Sequence, residues 1–173
     1  MNENLKGYLV AVSEMQNKCS NGAHSGLEGI YLNEGKEFSK RPLTPQDEIE
    51  LLEFVKNSKY KQKECWKNAT KIALDSTDTI KFCEGFGVSH RIPIPIHHAW
   101  ISFKGRAIDV TWGKEHVISS DANILKRIKK NIAESEYFGV EITKSELIEC
   151  IHETMVYDSV VRNRLNKELH KKV

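Results

Sequence analysis

The chain predicts an α+β fold in which a helix opened by Cys65 packs on an antiparallel sheet, with further helices on its flanks. Three observations carry that reading. Strand-like runs over 79–88, 92–103 and 106–112 follow one another with no helical pattern between them. The last two are separated only by Lys104-Gly105, which is hairpin spacing. On either side of this block, apolar residues recur at helical intervals over 44–56, 119–132 and 143–170.

Taken in order, Tyr8 to Ser13 has the aliphatic density of a short strand, Asn17 to Gly29 is polar and Gly-containing and reads as a loop, and Gly29 to Leu32 reads as a second short strand. Thr44 is a helix cap, Pro45 suits the first helical position, and Asp47 and Glu48 place acid where the helix dipole favours it. Ile49, Leu52 and Val55, with Leu51, give that helix its apolar stripe. Asn57 to Gln62 is a connector. A second helix runs from Glu64 or Cys65 to about Leu74, with Ala69, Ile72 and Ala73 inward.

In the first long strand Ile80, Phe82, Glu84, Phe86 and Val88 share a face, and Gly85 and Gly87 indicate a bulge or a close backbone approach. Pro93 and Pro95 confine the opening of the next strand to a sheet edge, with pairing from about Ile96. Ser119, Ser120 and Asp121 cap a helix whose Ile124, Leu125, Ile128 and Ile132 face inward and whose Lys126, Arg127, Lys129 and Lys130 face water. Tyr137 to Ile142 is a further strand. Thr143 and Glu146 form a capping box that starts a long terminal helix over 143–170.

At 173 residues the chain is one domain, with a catalytic core over about 44–142, an amino-terminal elaboration over 1–43 and the terminal helix. A formal charge of +2 does not point to nucleic acid, and the basic clusters at 126–130 and 162–172 read as solvated helix faces. Cys19, Cys65, Cys83 and Cys150 contain no C-x-x-C pair and read as reduced thiols. The first residues lack the pattern of a secretory signal, and no apolar run approaches the ~18 residues of a membrane span. A cytoplasmic protein with no membrane partner is expected.

Cys65 is the thiol placed for chemistry, because a helix amino terminus offers unpaired N–H donors and the positive end of the dipole. The hairpin supplies its partners. An even-length turn pairs Phe103 with Arg106, sets Trp100 opposite Asp109 and His98 opposite Thr111, and makes His98 and Asp109 diagonal neighbours on one face. The other face carries Ala99, Ile101, Phe103, Ile108, Val110 and Trp112 as the core side. This register selects His98 over His97. The three residues then form a triad in which Asp109 orients His98, His98 takes the thiol proton, and Cys65 attacks a carbonyl.

The backbone N–H of Cys65 is the first oxyanion donor. Gln62 is the candidate second donor or a linker residue, and Trp66 donates its indole N–H or walls the cleft. Glu84 either pairs near the cleft and orients substrate or turns to solvent at a bulge, and Trp100 shields the triad beside Trp112.

Cys65-Trp66 opening a helix, His98-Ala99-Trp100 on a strand and Ile108-Asp109-Val110-Thr111-Trp112 on the next resemble the transglutaminase-like branch of the papain-like cysteine enzymes, whose triad follows the order Cys, His, Asp. The resemblance spans roughly 65–140, including Cys83-Glu84-Gly85-Phe86 and Tyr137-Phe138-Gly139-Val140. It implies a papain-like/transglutaminase-like fold, with Cys65 as nucleophile, His98 as base and Asp109 as orienting acid. A papain-type oxyanion glutamine would stand further upstream than Gln62. The acidic cluster of calcium-dependent animal transglutaminases is not visible, so no cofactor or metal is expected.

The implied function is a cysteine-nucleophile hydrolase or acyltransferase acting on amide or peptide bonds of a protein or peptide substrate through a thioester. Hydrolysis is preferred, because a small domain with no second acceptor site most simply uses water. The alternative is a catalytically silent module of the same fold that binds a peptide or protein partner. A zinc site from His90, His97 and His98 with Cys83 and Asp109 is the lesser rival, since adjacent histidines on a strand point to opposite faces. His24, His116, His152 and His170 read as surface residues, and 1–35 as a lid or cleft wall.

Overall fold

The computed structural model describes residues 3–19, 26–56, 60–89, 92–112, 117–118 and 121–171. Along them run α1 (Glu3–Cys19), α2 (Leu27–Glu34), β1 (Lys36–Glu37), α3 (Pro45–Val55), β2 (Tyr60–Lys61), α4 (Cys65–Asp75) and β3 (Ile80–Ser89). They continue with β4 (Ile92–Phe103), β5 (Arg106–Ile108), β6 (Val117–Ile118), α5 (Asp121–Glu134), β7 (Glu136–Ile142), α6 (Lys144–Thr154) and α7 (Val160–His170). The architecture is α+β. An antiparallel five-stranded sheet has the order β1-β7-β3-β4-β5, and β2 pairs with β6 in a small second sheet.

The β4–β5 hairpin turns on Lys104 and Gly105, whose φ angles of 49° and 76° are both positive, as a type I′ turn requires. Phe103 therefore pairs with Arg106 and Ile101 with Ile108. The buried Arg106 locks this register by donating to Arg41 O at 2.7 Å and to Asp47 Oδ2 at 3.2 Å. Asp47 also closes the capping box of α3 with Thr44. Because β5 covers only the last residues of β4, Pro93 and Pro95 fall where β4 is the edge of the sheet, and their missing N–H groups cost no ladder bond.

The two sheet faces differ. Phe82, Phe86, Ala99, Ile101, Phe103, Val140 and Ile142 lie under α4 and share the main core with its Ala69, Ile72 and Ala73. The opposite face carries a smaller cluster of Phe38, Cys83, Trp100, Ala107 and Tyr137, with Trp112 against it. Between β3 and β7 the backbones approach too closely for side chains. A Cβ on Gly85 would lie 2.2 Å from Phe138 O, and one on Gly139 would lie 2.2 Å from Glu84 O.

Several expectations are corrected. The strand expected at Tyr8–Ser13 is the middle of α1, because Leu5, Leu9 and Ser13 are buried at intervals of four. The strand expected at 29–32 is α2, which buries Tyr31. In α3 the inward residues are Leu51 and Val55, while Ile49 is 60% exposed. The run 106–112 is strand only to Ile108. The expected single terminal helix is two, α6 and α7, broken at Met155 in the left-handed region with φ 58°. In α5, Ile124, Ile128 and Ile132 are buried as expected, but so is Arg127. The proposed cap residues Ser119 and Ser120, and His24, His90 and His116, lie outside the described residues.

Candidate active site

Cys65 opens α4 behind Glu64, whose side chain makes no capping bond. The first-turn N–H groups are thus not consumed by the cap residue, and the dipole's positive end lies at the thiol. Cys65 is 7% exposed. Two side chains hold this end of the helix from outside. Asn68 donates to Lys61 O at 2.8 Å and to Thr111 Oγ1 at 3.0 Å, and Trp66 donates from Nε1 to Glu84 Oε2 at 3.2 Å.

His98, on β4, contacts both other members of the constellation. Its Nε2 is 2.7 Å from Asp109 Oδ2, and the Cys65 side chain lies within hydrogen-bond reach of the same ring. Burial by itself would push the imidazole down, but the Asp109 carboxylate and the Cys65 side chain outweigh it and hold His98 at about 10. Burial would likewise raise Asp109. The charge and hydrogen bond of His98, with donors from Thr111 and Tyr137, keep it below the ordinary carboxylate value instead. Both shifts favour an imidazolium facing a carboxylate, and both groups are buried, at 3% and 1% exposure.

Asp109 also explains why β5 is short. Its Oδ1 accepts from Thr111 N at 2.7 Å and Trp112 N at 3.2 Å, an Asx-type turn that bends the chain out of the ladder. The bend carries Trp112 off the aliphatic face assigned to it from the hairpin alternation. Trp112 stacks on His98 instead, with ring centroids 4.2 Å apart and planes at 16°. Gly87 makes room for it, since a Cβ there would lie 2.6 Å from the indole.

Four residues that the sequence reading did not single out for the site complete its frame. Tyr137 donates to Asp109 Oδ2 at 2.9 Å. Asn131 donates to Asp109 O at 2.9 Å and Trp112 O at 3.0 Å, and Arg127 to Val110 O at 3.0 Å, so one side of α5 holds the bend. Asn68 is the fourth. The sequence did carry a signal for α5: Arg127 and Asn131 stand four apart beside its inward isoleucines.

The remaining candidates separate. Glu84 has no accessible surface and accepts from five groups, so it is a buried anchor and not a substrate contact. The indole N–H of Trp66 is committed to Glu84 and so is not the oxyanion donor; its half-buried ring remains a wall. Trp100 is buried against Phe38, Tyr137 and His98, which shields the site but offers no surface to a substrate. Gln62 lies half-buried in the turn three residues before Cys65.

His97 projects from the other face of β4. Its Nε2 is 2.7 Å from the Tyr31 hydroxyl, which itself donates to Glu84, so the imidazole donates to Tyr31 and turns Nδ1 to Arg162 at 3.5 Å. Burial, with the charges of Arg162 and His98, depresses it to about 4. Among the described residues, no group of three or more His, Cys, Asp or Glu side chains could hold a metal ion, and no helix is long and apolar enough to cross a membrane.

In comparisons with protein-family models, curated proteins and solved structures, nothing matches the chain.

Proposed function

We propose that the chain is a cysteine-nucleophile hydrolase or acyltransferase of amide or peptide bonds, with the fold of the transglutaminase-like branch of papain-like enzymes. The observation that carries this is the single imidazole joined to both a helix-opening thiol and a buried carboxylate. Cys65 Sγ attacks the carbonyl carbon, and the oxyanion forms near the uncapped first turn of α4. His98 passes a proton to the leaving amine, giving a thioester at Cys65. Water, activated by His98, then hydrolyses it and restores the thiol; an amine acceptor would give transfer instead. Hydrolysis is the simpler outcome for a domain of this size.

The test is alkylation of each cysteine by iodoacetamide at pH 6, read by peptide mass spectrometry, in the wild type and in His98→Ala with folding checked by circular dichroism. Cys65 is expected to react at least about tenfold faster than the exposed Cys19, and to lose that advantage without His98. A Cys65 no faster than Cys19 overturns the reading and leaves the same fold as a catalytically silent module for a peptide or protein partner. Success would justify screening peptide amides for a Cys65 thioester by intact mass.

A further inference from the structure

We infer that Glu84 is a positioning residue for the nucleophile: its buried carboxylate ties the amino terminus of α7 to the indole of Trp66, so the carboxy-terminal helix fixes how Cys65 meets His98. This rests on Cys65 being the nucleophile and adds to it a residue and an element that touch no substrate.

Glu84 stands in the middle of β3, on the face covered by α4, where a carboxylate is costly unless fully satisfied. It is satisfied from three parts of the chain. Oε1 accepts from Tyr31 Oη at 3.3 Å, Ser159 Oγ at 3.1 Å and Val161 N at 2.5 Å, and Oε2 from Trp66 Nε1 at 3.2 Å and Val160 N at 3.1 Å. Three of the five, the two backbone N–H groups and the indole N–H, can only donate; burial raises Glu84 above its ordinary carboxyl value, and these bonds pull it back down. Val160 N and Val161 N are first-turn groups of α7 with no intrahelical partner, and Glu84 serves as their acceptor from another element.

The need for such an anchor follows from the start of α4. A capping side chain would fix that turn but would occupy the N–H groups the chemistry uses, and Glu64 supplies none. The turn is held instead by the side chains one and three residues beyond Cys65. Asn68 pulls toward Lys61 and Thr111, and Trp66 toward Glu84. Trp66 is covalently next to Cys65, so a rotation of the helix that releases the indole also swings Sγ away from the imidazole.

The experiment uses the full chain and measures the pH–rate profile of iodoacetamide alkylation at Cys65, with Cys19 as internal reference. Trp66→Phe removes the indole N–H and keeps an aromatic ring; Ser159→Ala removes one donor to Glu84 together with the cap that accepts from Arg162 N at the start of α7, without touching α4; Glu84→Gln is the direct variant. Circular dichroism and melting check that each is folded. A loosened site alone would change the rate at every pH, whereas loss of the Cys65–His98 alignment moves the profile along the pH axis. In folded Trp66→Phe the profile is expected to move to higher pH, with the rate at pH 6 down about tenfold, the scale of a hydrogen bond to a charged group. Ser159→Ala is expected to move it less, in the same direction. An unmoved profile in folded Trp66→Phe overturns the inference whether or not Glu84→Gln folds, and an unmoved Ser159→Ala overturns the share assigned to α7. If wild-type Cys65 already matches Cys19, it is the nucleophile reading that has failed, and this inference goes with it.

Discussion

Asp109 spends both oxygens twice, on two backbone N–H groups and on the side chains of His98 and Tyr137. Asp109→Asn keeps the shape and removes the charge that holds His98 protonated, leaving a buried imidazole facing an amide. Breaking a buried pair in this way is expected to cost about 3–5 kcal/mol in denaturant unfolding. The pH dependence has a definite sign. His98 is raised from 6.5 to about 10, so its contribution to stability is complete below 6.5 and lost as pH rises through about 10. Asp109 is lowered from 3.8, so its contribution is present above 3.8 and lost as pH falls through the depressed value. The gap in melting temperature between wild type and Asp109→Asn should therefore be widest between these limits and close toward pH 10. A gap that stayed constant with pH would show that the pair is not charged. The contact of these two residues was legible in the sequence from the parity of a two-residue turn, although the ladder ends at Ile101–Ile108 and the expected pairs Trp100–Asp109 and His98–Thr111 are not part of it. The contacts of Tyr137, Arg127 and Asn131 were not: the spacing of Arg127 and Asn131 could place them beside the inner face of α5, but no local pattern specifies that α5 or β7 lies against Asp109 and its bend.

At the scale of elements, the glycines of β3 do different jobs. Gly85→Ala would drive a Cβ into the backbone of β7, which cannot yield, and is expected to destabilise by more than about 2 kcal/mol. Gly87→Ala meets the far edge of Trp112 at 2.6 Å, with Tyr137 at an ordinary 3.4 Å, and no backbone. It is expected to cost less than Gly85→Ala in melting temperature yet to alter Cys65 alkylation, because the ring that moves is the one stacked on His98. Equal stability losses with unchanged alkylation would contradict that division. Legibility followed the strength of local chemistry. The Thr44 cap followed by Pro45 and the Thr143 capping box marked α3 and α6, and the pleat of β3 and β4 was readable from alternation. The first helix was misread because Leu-Val-Ala-Val imitates a strand, while the period that matters, Leu5 to Leu9, is set by what α1 packs against. The last stretch was read as one helix because its apolar spacing continues through Met155, where only the backbone turns left-handed.

For the molecule as a whole, the terminal segments are structural members of the core. Leu5, Leu9 and Tyr31 are fully buried, and Tyr31 hydrogen-bonds both His97 and Glu84. The expectation of a lid over 1–35 therefore becomes a prediction about folding. Deleting 1–35 should abolish cooperative thermal unfolding, and a deletion that still melts cooperatively would restore the lid. Truncation after Thr154 should be as damaging, because it strips Glu84 of three of its five donors while leaving the carboxylate inside. Removing the apolar surface of α7 alone would be a milder insult.

His97 and His98 are the same side chain, one peptide apart, yet the strand sends one to about 4 and the other to about 10. Burial lowers the one and the Asp109 carboxylate raises the other, so at rest the dipeptide favours a neutral imidazole on one side of the strand and a cationic one on the other. The residue most often used to sense pH is thus turned by its partners into two opposite resting states within one strand.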